Sequence, residues 1–525
     1  HMVLNALTAC AVGNLLGVEP NDMKKGIEKM EPVGGRVNII KNDKYTLIDD
    51  CYNANPVSMK ASIDVLAYAN TRKVAILGDM FELGENEKEL HGDIGEYLAK
   101  KDIELLITIG HLSKYIEEYA ISNEYKGECV HFDILDEFLE EYHNILKVND
   151  TILVKDTVAT AGSKILDGFK SLFSAEAVTR LEDKGYTVSG KTNVGEFGLD
   201  LVGEFSYYAP QSEKLEGSAA TLVANGEVEA ALGVDMNGAT RRAAALSGVD
   251  FLKPTYGTVS RYGVISCAAS GEQVGVYAKN AEKVAEIMGV IAGHDDKDGT
   301  SLKNDSYDYS LVDVKGKKVA LNKYLLDKAD DETKAKVMAF ADSLRANGVE
   351  VVEISCDMVE IANTAWQILM CAETCNNVSR YDGVKYGHRA EKYRNIDELY
   401  VNTRTEGFNF LTKAVILYGS DVLSKNRYKD CFDKSLRVRR VVSEKMAELF
   451  ASYDAVLTPV CSKASYEAYD IKEAFIKVFE ESVFTCVPNL IGSPALVTSG
   501  VQFIGKNFSE STLLSLGASA ERKGE

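Results

Sequence analysis

The residues best suited to chemistry lie between Ala231 and Gly257, in the stretch ALGVDMNGATRRAAALSGVDFLKPTYG. Its small residues, its glycines and Asp235 suit a loop that wraps its backbone N–H groups around a ligand. A Ser or Cys is expected at the tip of such a loop, where it attacks a bound substrate. Ala239 stands there instead. The loop has either lost a nucleophile or never had one. Elsewhere, Asp49, Asp50, Asn53, Asn55, Gly78 and Asp79 follow the apolar runs YTLIDD and KVAILGDM. At such strand ends they serve as caps and turns or as ligand groups. Gly185–Thr192, GYTVSGKT, fits the phosphate-loop pattern. Cys371 and Cys375 lie four apart on an expected helix, a spacing open to a metal pair or to core packing.

The elements that must position these groups fall into two styles. From Tyr45 to Lys155, short apolar runs alternate with amphipathic ones: strands YTLIDD, KVAILGDM, IELLITIG, CVHF and DTILVK, and helices PVSMKASIDVLAYA, EKELHGDIGEYLAKK, LSKYIEEYAI and ILDEFLEEYHNIL. Continuous apolar strands separated by helices predict a mostly parallel sheet covered on both faces. Asn55 is placed to cap the first of these helices, with Pro56 at its first position. The phosphate-loop match does not have its required setting. AEAVTRLEDK reads as a helix before the first glycine and YTVSG as a strand, so Lys191 ends a strand rather than opening a helix.

The chain has 525 residues, enough for two or more domains, and its 46% hydrophobic content is that of globular protein. A net charge of -20 argues against direct nucleic-acid binding by this chain alone. No apolar run approaches the roughly 20 residues of a membrane span, and no signal peptide is visible. The 10 scattered cysteines, without a CxxC pair, suggest reduced thiols and a cytoplasmic location. The opening HMVLNALTACAVGNLLG is already an amphipathic helix, so His1-Met2 is a cloning scar or the chain is the later part of a longer one.

Five segments in order, HMVLNALTACAVG, GGRVNII, LIDDCYNANPVSMKAS, VAILGDMFELGE and LHGDIGEYL, resemble the Mur ligase family, in particular the ligases that add D-alanyl-D-alanine to a muramoyl tripeptide. The resemblance implies a helical remnant of the ATP-binding central domain over residues 1–40 and the Rossmann-like carboxyl-terminal domain over 41–155. It implies that Asn5 approaches adenine, and that Arg36, Asp50 and Asn53 lie near the ribose and phosphates. Cys51 stands where the family has Ser. The family's phosphate loop belongs to an earlier segment, so ATP with magnesium is expected only together with that upstream portion. A role in peptidoglycan precursor synthesis is the corresponding expectation.

After Lys155, the segments VKDTVATAGSKILDGF, the loop above, VSRYGVIS, SRYDGVKYGHR, TRTEGF, YDAVLTPV and FTCVPNLIGSPAL resemble the amidase signature family, above all its amidotransferase branch of the A type. The resemblance implies a mixed-sheet α/β/α domain over 156–525, joined at Lys155, which both family motifs contain. Amide cleavage by a covalent route needs an activated hydroxyl and an oxyanion hole. The family supplies two serines and a neutral Lys base. Lys155 matches the base. The nucleophile position is Ala239, and the bridging position falls on Leu215 or Lys214. Asp235, Gly238 and Arg241 keep the loop scaffold, and Arg404 matches an arginine that holds the glutamine carboxylate in the family, a structural salt bridge being the other reading of it. The family's amine-binding Asp is Ser482 here, and ALVTSGVQFIG shortens a strand pair. Ser218, Ser247 and His294 are read as packing or turn residues rather than as substitutes.

Two readings of function follow. In one, a Mur-like unit is fused to an amidase unit that has lost its nucleophile and binds or scaffolds. In the other, the second unit is a working glutamine-dependent amidotransferase subunit with an unorthodox nucleophile. The expected partners are an amidotransferase B-type subunit or cell-wall precursor enzymes. No cofactor is expected for the amidase half and no metal site in the chain.

Overall fold

The computed structural model describes residues 38–521, apart from short segments at 42–43, 50–55, 81–86, 134–136, 139–140, 143–144, 148–149, 156–159, 168, 170, 172–173, 189, 210, 212–214, 216 and 305–306, and apart from some side chains, those of 151–155 among them. Asn5, Arg36, Asp50, Asn53 and Lys214 lie outside the described residues, as do the opening helix and the Asn55 cap. The chain divides into two compact units, His1–Val158 and Ala159–Glu525.

The first unit holds a six-stranded sheet in the order β1-β2-β6-β3-β4-β5. Its strands are β1 (Asn38–Lys41), β2 (Thr46–Asp49), β3 (Lys73–Gly78), β4 (Leu105–Ile109), β5 (Glu128–Phe132) and β6 (Thr151–Lys155). All neighbours are parallel except the edge pair β1–β2. That antiparallel edge was not legible as a strand in GGRVNII. Three helices connect the strands: α1 (Pro56–Ala67), α2 (Glu87–Ala99) and α3 (Lys114–Ser122). Alternation along β3 assigns the faces. Ala75 and Leu77 pack with Met59, Ile63, Ile94, Leu98 and Ile116 from the helices. Val74 and Ile76 point the other way, to Ile107 and Phe138. The expected helix over 134–146 is described only in part.

The second unit holds an eight-stranded mixed sheet, β11-β10-β12-β14-β13-β8-β9-β7. The strands are β7 (Ala230–Asp235), β8 (Asp250–Lys253), β9 (Gln273–Ala278), β10 (Lys318–Asn322), β11 (Glu350–Ile354), β12 (Ala455–Pro459), β13 (Ala495–Thr498) and β14 (Val501–Gly505). Its helices include α4 (Glu176–Asp183), α5 (Ser218–Asn225), α6 (Ala239–Ser247), α7 (Ala281–Ile291), α8 (Asp331–Ala346), α9 (Val359–Asn377), α10 (Phe410–Leu423), α11 (Lys434–Phe450) and α12 (Glu510–Glu521). Val319, Leu321, Leu457 and Phe503 face α7, α8 and α12 through Ile287, Phe340 and Leu513. Ala320, Val456 and Ile504 face α9, α10 and α11 through Trp366, Val415 and Met446. The sheet is thus covered on both sides, as an α/β/α domain requires. Ser499 and Gly500 join β13 to β14 with φ of 48 and 77, the left-handed pair that a two-residue hairpin turn needs.

One expectation fails. YTVSG follows helix α4 as foreseen, but its described residues form no strand. Tyr186 packs against the core, while Thr187, Val188, Gly190 and Lys191 are exposed. A β-branched run becomes a strand only where a neighbour completes its ladder. Among the described strands, β7 pairs only with β9 and none pairs with this segment. Lys191 therefore lies in a loop, neither ending a strand nor opening a helix.

Candidate functional site

The loop of Asp235–Gly238 joins β7 to α6. Gly238 has φ 83, a left-handed conformation, and a Cβ there would meet the Thr485 side chain at 2.3 Å. This glycine lets the chain turn tightly from strand to helix against Thr485. Ala239 is the first residue of α6 and is half-buried.

Beneath the turn, Arg241 and Asp235 form a wholly buried ion pair. Arg241 Nε donates to one Asp235 oxygen at 3.0 Å and Nη2 to the other at 3.0 Å. The remaining groups are also met. Arg241 Nη1 donates to Gln502 Oε1 at 2.6 Å and Nη2 to the Thr485 carbonyl at 2.9 Å. Asp235 also accepts from Asn489 Nδ2 at 2.7 Å and from the Thr240 hydroxyl at 2.6 Å. Burial alone would raise the Asp235 carboxyl, but the Arg241 charge and these hydrogen bonds hold it well below the usual carboxylate range. Lys253, at the end of β8, is buried nearby and donates to the Pro254 carbonyl at 2.8 Å. Burial pushes its amine down to about 7, opposed by the charge of Asp235. Sequence reading passed over Lys253, because LKPTYG looks like an ordinary strand end.

The other positions singled out in the sequence lie as follows. Leu215 is buried in a cluster with Val202, Ala243 and Val460, and its N–H donates to the Tyr466 carbonyl at 3.1 Å. Ser218 is exposed at the start of α5, and Ser247 ends α6 with its hydroxyl buried and unpartnered. Ser482 donates its hydroxyl to the Val478 carbonyl at 2.5 Å. Asn237 is fully buried. Its Oδ1 accepts from Trp366 Nε1 at 3.1 Å and Gln367 Nε2 at 3.3 Å. Arg404 Nη1 donates to the carbonyls of Val378 at 2.9 Å and Tyr381 at 3.1 Å, and its guanidinium lies over the Phe408 ring. His294 Nε2 is 3.0 Å from Asp296. Lys155 lies in β6, opposite Leu77 of β3, so its strand is built into the sheet of the first unit.

Of the polar groups at strand ends in that unit, Asp79 is a cap. It accepts from the N–H groups of Leu112 at 2.9 Å and Ser113 at 2.6 Å, before α3. His91, inside α2, was missed by sequence reading although its segment was noticed. It is fully buried, with Nε2 accepting from the Met80 N–H at 2.7 Å and Nδ1 2.7 Å from the Glu87 carbonyl. Only the neutral ring with its proton on Nδ1 satisfies both. Burial lowers its pKa accordingly. Cys371 and Cys375 pack in α9, where the Cys371 carbonyl and Cys375 Cβ crowd Gly419 of α10. Among the described residues, no cluster of His, Cys, Asp and Glu is fit to hold a metal, and no helix is long and apolar enough to cross a membrane.

A family model described as Amidase matches residues 145–514, more than half of the chain. The chain belongs to the amidase family. A second model, the Mur ligase glutamate ligase domain, matches residues 35–155, so the two matches share the segment that contains β6. Among amidase relatives, the A subunit of glutamyl-tRNA(Gln) amidotransferase from Fusobacterium nucleatum is 35% identical over 400 residues, covering 72% of this chain and 82% of that protein. Its namesake from Agathobacter rectalis is 34% identical over 401 residues, covering 72% and 80%. The solved structure of the same amidotransferase component from Thermotoga maritima superposes with a TM-score of 0.59 at 26% identity, over 71% of this chain and 81% of that one. A 6-aminohexanoate cyclic dimer hydrolase has a TM-score of 0.58 at 19% identity, over 70% and 81%, and shares the fold.

Proposed function

We propose that the amidase unit has lost serine-based acyl transfer and works as a binding or scaffolding module, fused to a Mur-ligase-like unit in cell-wall precursor metabolism. The observation that carries this reading is Ala239 at the nucleophile position, with Leu215 or Lys214 at the bridging one. Ala239 has no lone pair with which to attack a carbonyl, and neither Leu215, which packs in a core, nor a charged Lys214 relays a proton as a Ser does. Members of such a catalytic unit act together, so losing the nucleophile alone forfeits most of a roughly million-fold acceleration. Restoring Ser at Ala239 leaves the relay still missing. The loop around Asp235, Gly238 and Arg241 remains as a frame in this reading, and Arg404 serves the helix-end carbonyls it contacts. The test is ammonia release by the purified chain. No release from glutamine or asparagine above background is expected, and steady turnover would defeat the reading.

The alternative is an active glutamine-dependent component of the A type, working with a B-type partner. It is favoured by relatives that bear the name of the glutamyl-tRNA(Gln) amidotransferase A subunit, at up to 35% identity. Sustained glutaminase activity only in the presence of such a partner would establish it. For the Mur-like unit, we propose that ATP and magnesium act only with the upstream ligase portion. Adenine and ribose contacts near Asn5, Arg36, Asp50 and Asn53 lack the dense N–H and Lys contacts of a phosphate loop. Calorimetry should therefore find at most weak ATP binding. Sub-micromolar affinity that Lys191→Ala abolishes would overturn this.

A further inference from the structure

Arg242 differs from Arg241, one residue before it. Both are fully buried. Arg242 Nε donates to the Leu201 carbonyl at 2.9 Å and Nη1 to Thr485 Oγ1 at 2.9 Å, but Nη2 has no hydrogen-bond partner. Among the described residues, no carboxylate lies within ion-pair distance of it. The acids nearby are otherwise engaged. Glu204 accepts the N–H groups of Leu201 and Val202 and the Tyr469 hydroxyl. Glu481 accepts the Ser462 N–H and the hydroxyls of Ser462 and Tyr466. A buried guanidinium left with an open donor is destabilising unless something supplies an acceptor.

A second open donor lies close in the chain of contacts. Asn237 Nδ2 is buried and unpartnered. Thr485 links the two residues, since its hydroxyl accepts from Arg242 and donates to the Asn237 carbonyl at 3.1 Å. Asn237 precedes α6 and Arg242 lies in its first turn, in a helix of 9 residues whose N-terminus favours negative charge. Ala239 and Arg242 are three apart and share a helix face. Ala239 and Thr240 are half-buried, so this turn reaches solvent. The unmet groups are both donors, one of them on a cation, and the two oxygens of a carboxylate offer each an acceptor.

We infer that the first turn of α6 binds a small carboxylate, held by Arg242 Nη2 and Asn237 Nδ2 at the place where a nucleophile would stand. The inference rests on the reading of this unit as a binding module and gives that site its ligand class. Ala239 then has a use: a methyl group beside the bound acid leaves room where a hydroxyl would compete for the same donors.

The test uses the full chain with acetate, malonate and L-glutamate as probes, beside acetamide, malonamide and phosphate, at constant ionic strength in chloride. Calorimetry and thermal denaturation should both give saturable binding of a carboxylate, weakened by about tenfold or more in Arg242→Gln. Asn237→Leu, which keeps the cation, should weaken it less. If Arg242→Gln does not fold, Asn237→Leu and Arg242→Lys carry the comparison, and either must lower the affinity. Equal response to the neutral amides, preference for phosphate, or no saturable response to any acid overturns the inference. The same preparations are assayed for ammonia release. Turnover together with carboxylate binding would sink the loss of catalysis and keep this site. Silence without binding would do the reverse.

Discussion

The two halves of the loop at the start of α6 differ sharply. On one side Asp235, Arg241, Asn489 and Gln502 form a buried network in which both charges are paired. On the other side Asn237, Ala239 and Arg242 hold two open donors and no nucleophile. The difference has a physical origin. Removing one member of a buried ion pair strands the other charge at high cost, so such a pair resists piecemeal change. A hydroxyl on a half-exposed helix start contributes little to stability, so its loss is nearly free for folding. On the proposed reading, such a site loses its reactive atoms before it loses its frame.

The largest effect that tests this contrast is on the paired side. Asp235→Ala should destabilise the second unit by about 3–5 kcal/mol in denaturant melts, because Arg241 is left uncompensated. A loss below about 1 kcal/mol would mean that the network is not a frame. Lys253 sharpens the comparison through pH. Its folded pKa of about 7 lies below the ordinary 10.5, so between these values the unfolded chain holds a proton that the folded chain lacks. Stability relative to Lys253→Met should therefore rise with pH across this window, by about 1.4 kcal/mol per unit, and level off below it. A difference that stays flat with pH would show that the amine is charged in its buried place. In the first unit the same sign holds for His91. Its folded pKa lies below 6.5, so stability should fall as pH drops through 6.5, where only the unfolded chain takes up the proton. His91→Gln should flatten that fall, and an unchanged profile would remove His91 as its cause. Smallest of all, Ala239→Ser should change stability by no more than about 0.5 kcal/mol and bring no glutaminase activity. Activity in this variant would show that a working relay survives.

Much of the architecture was legible. The alternating runs from Tyr45 to Lys155 foretold the parallel sheet, because strands buried on both faces are apolar throughout and need no partner to be recognised. YTVSG misled because whether it pairs depends on a neighbouring strand, which its own five residues do not encode. In the candidate site, Asp235, Gly238, Ala239 and Arg241 were legible through family motifs. Lys253 and the open donors of Arg242 and Asn237 were not, and in the first unit neither was His91. Polar side chains in a helical or strand run read as surface, and only packing reveals that these are fully buried. The two arginines of TRRAAA look equivalent in sequence. Their difference comes from what each reaches in the fold: Arg241 meets Asp235, Asn489 and Gln502, whereas Arg242 meets the Leu201 carbonyl and Thr485.

The central claim, that the amidase unit forms no acyl-enzyme, is tested most directly by intact-mass spectrometry. The full chain would be incubated with glutamine and, separately, with a fluorophosphonate, then quenched and weighed. The account predicts the unmodified mass in both. A stoichiometric adduct that peptide mapping places on Ser218 or Ser247, together with glutamine turnover, would contradict it.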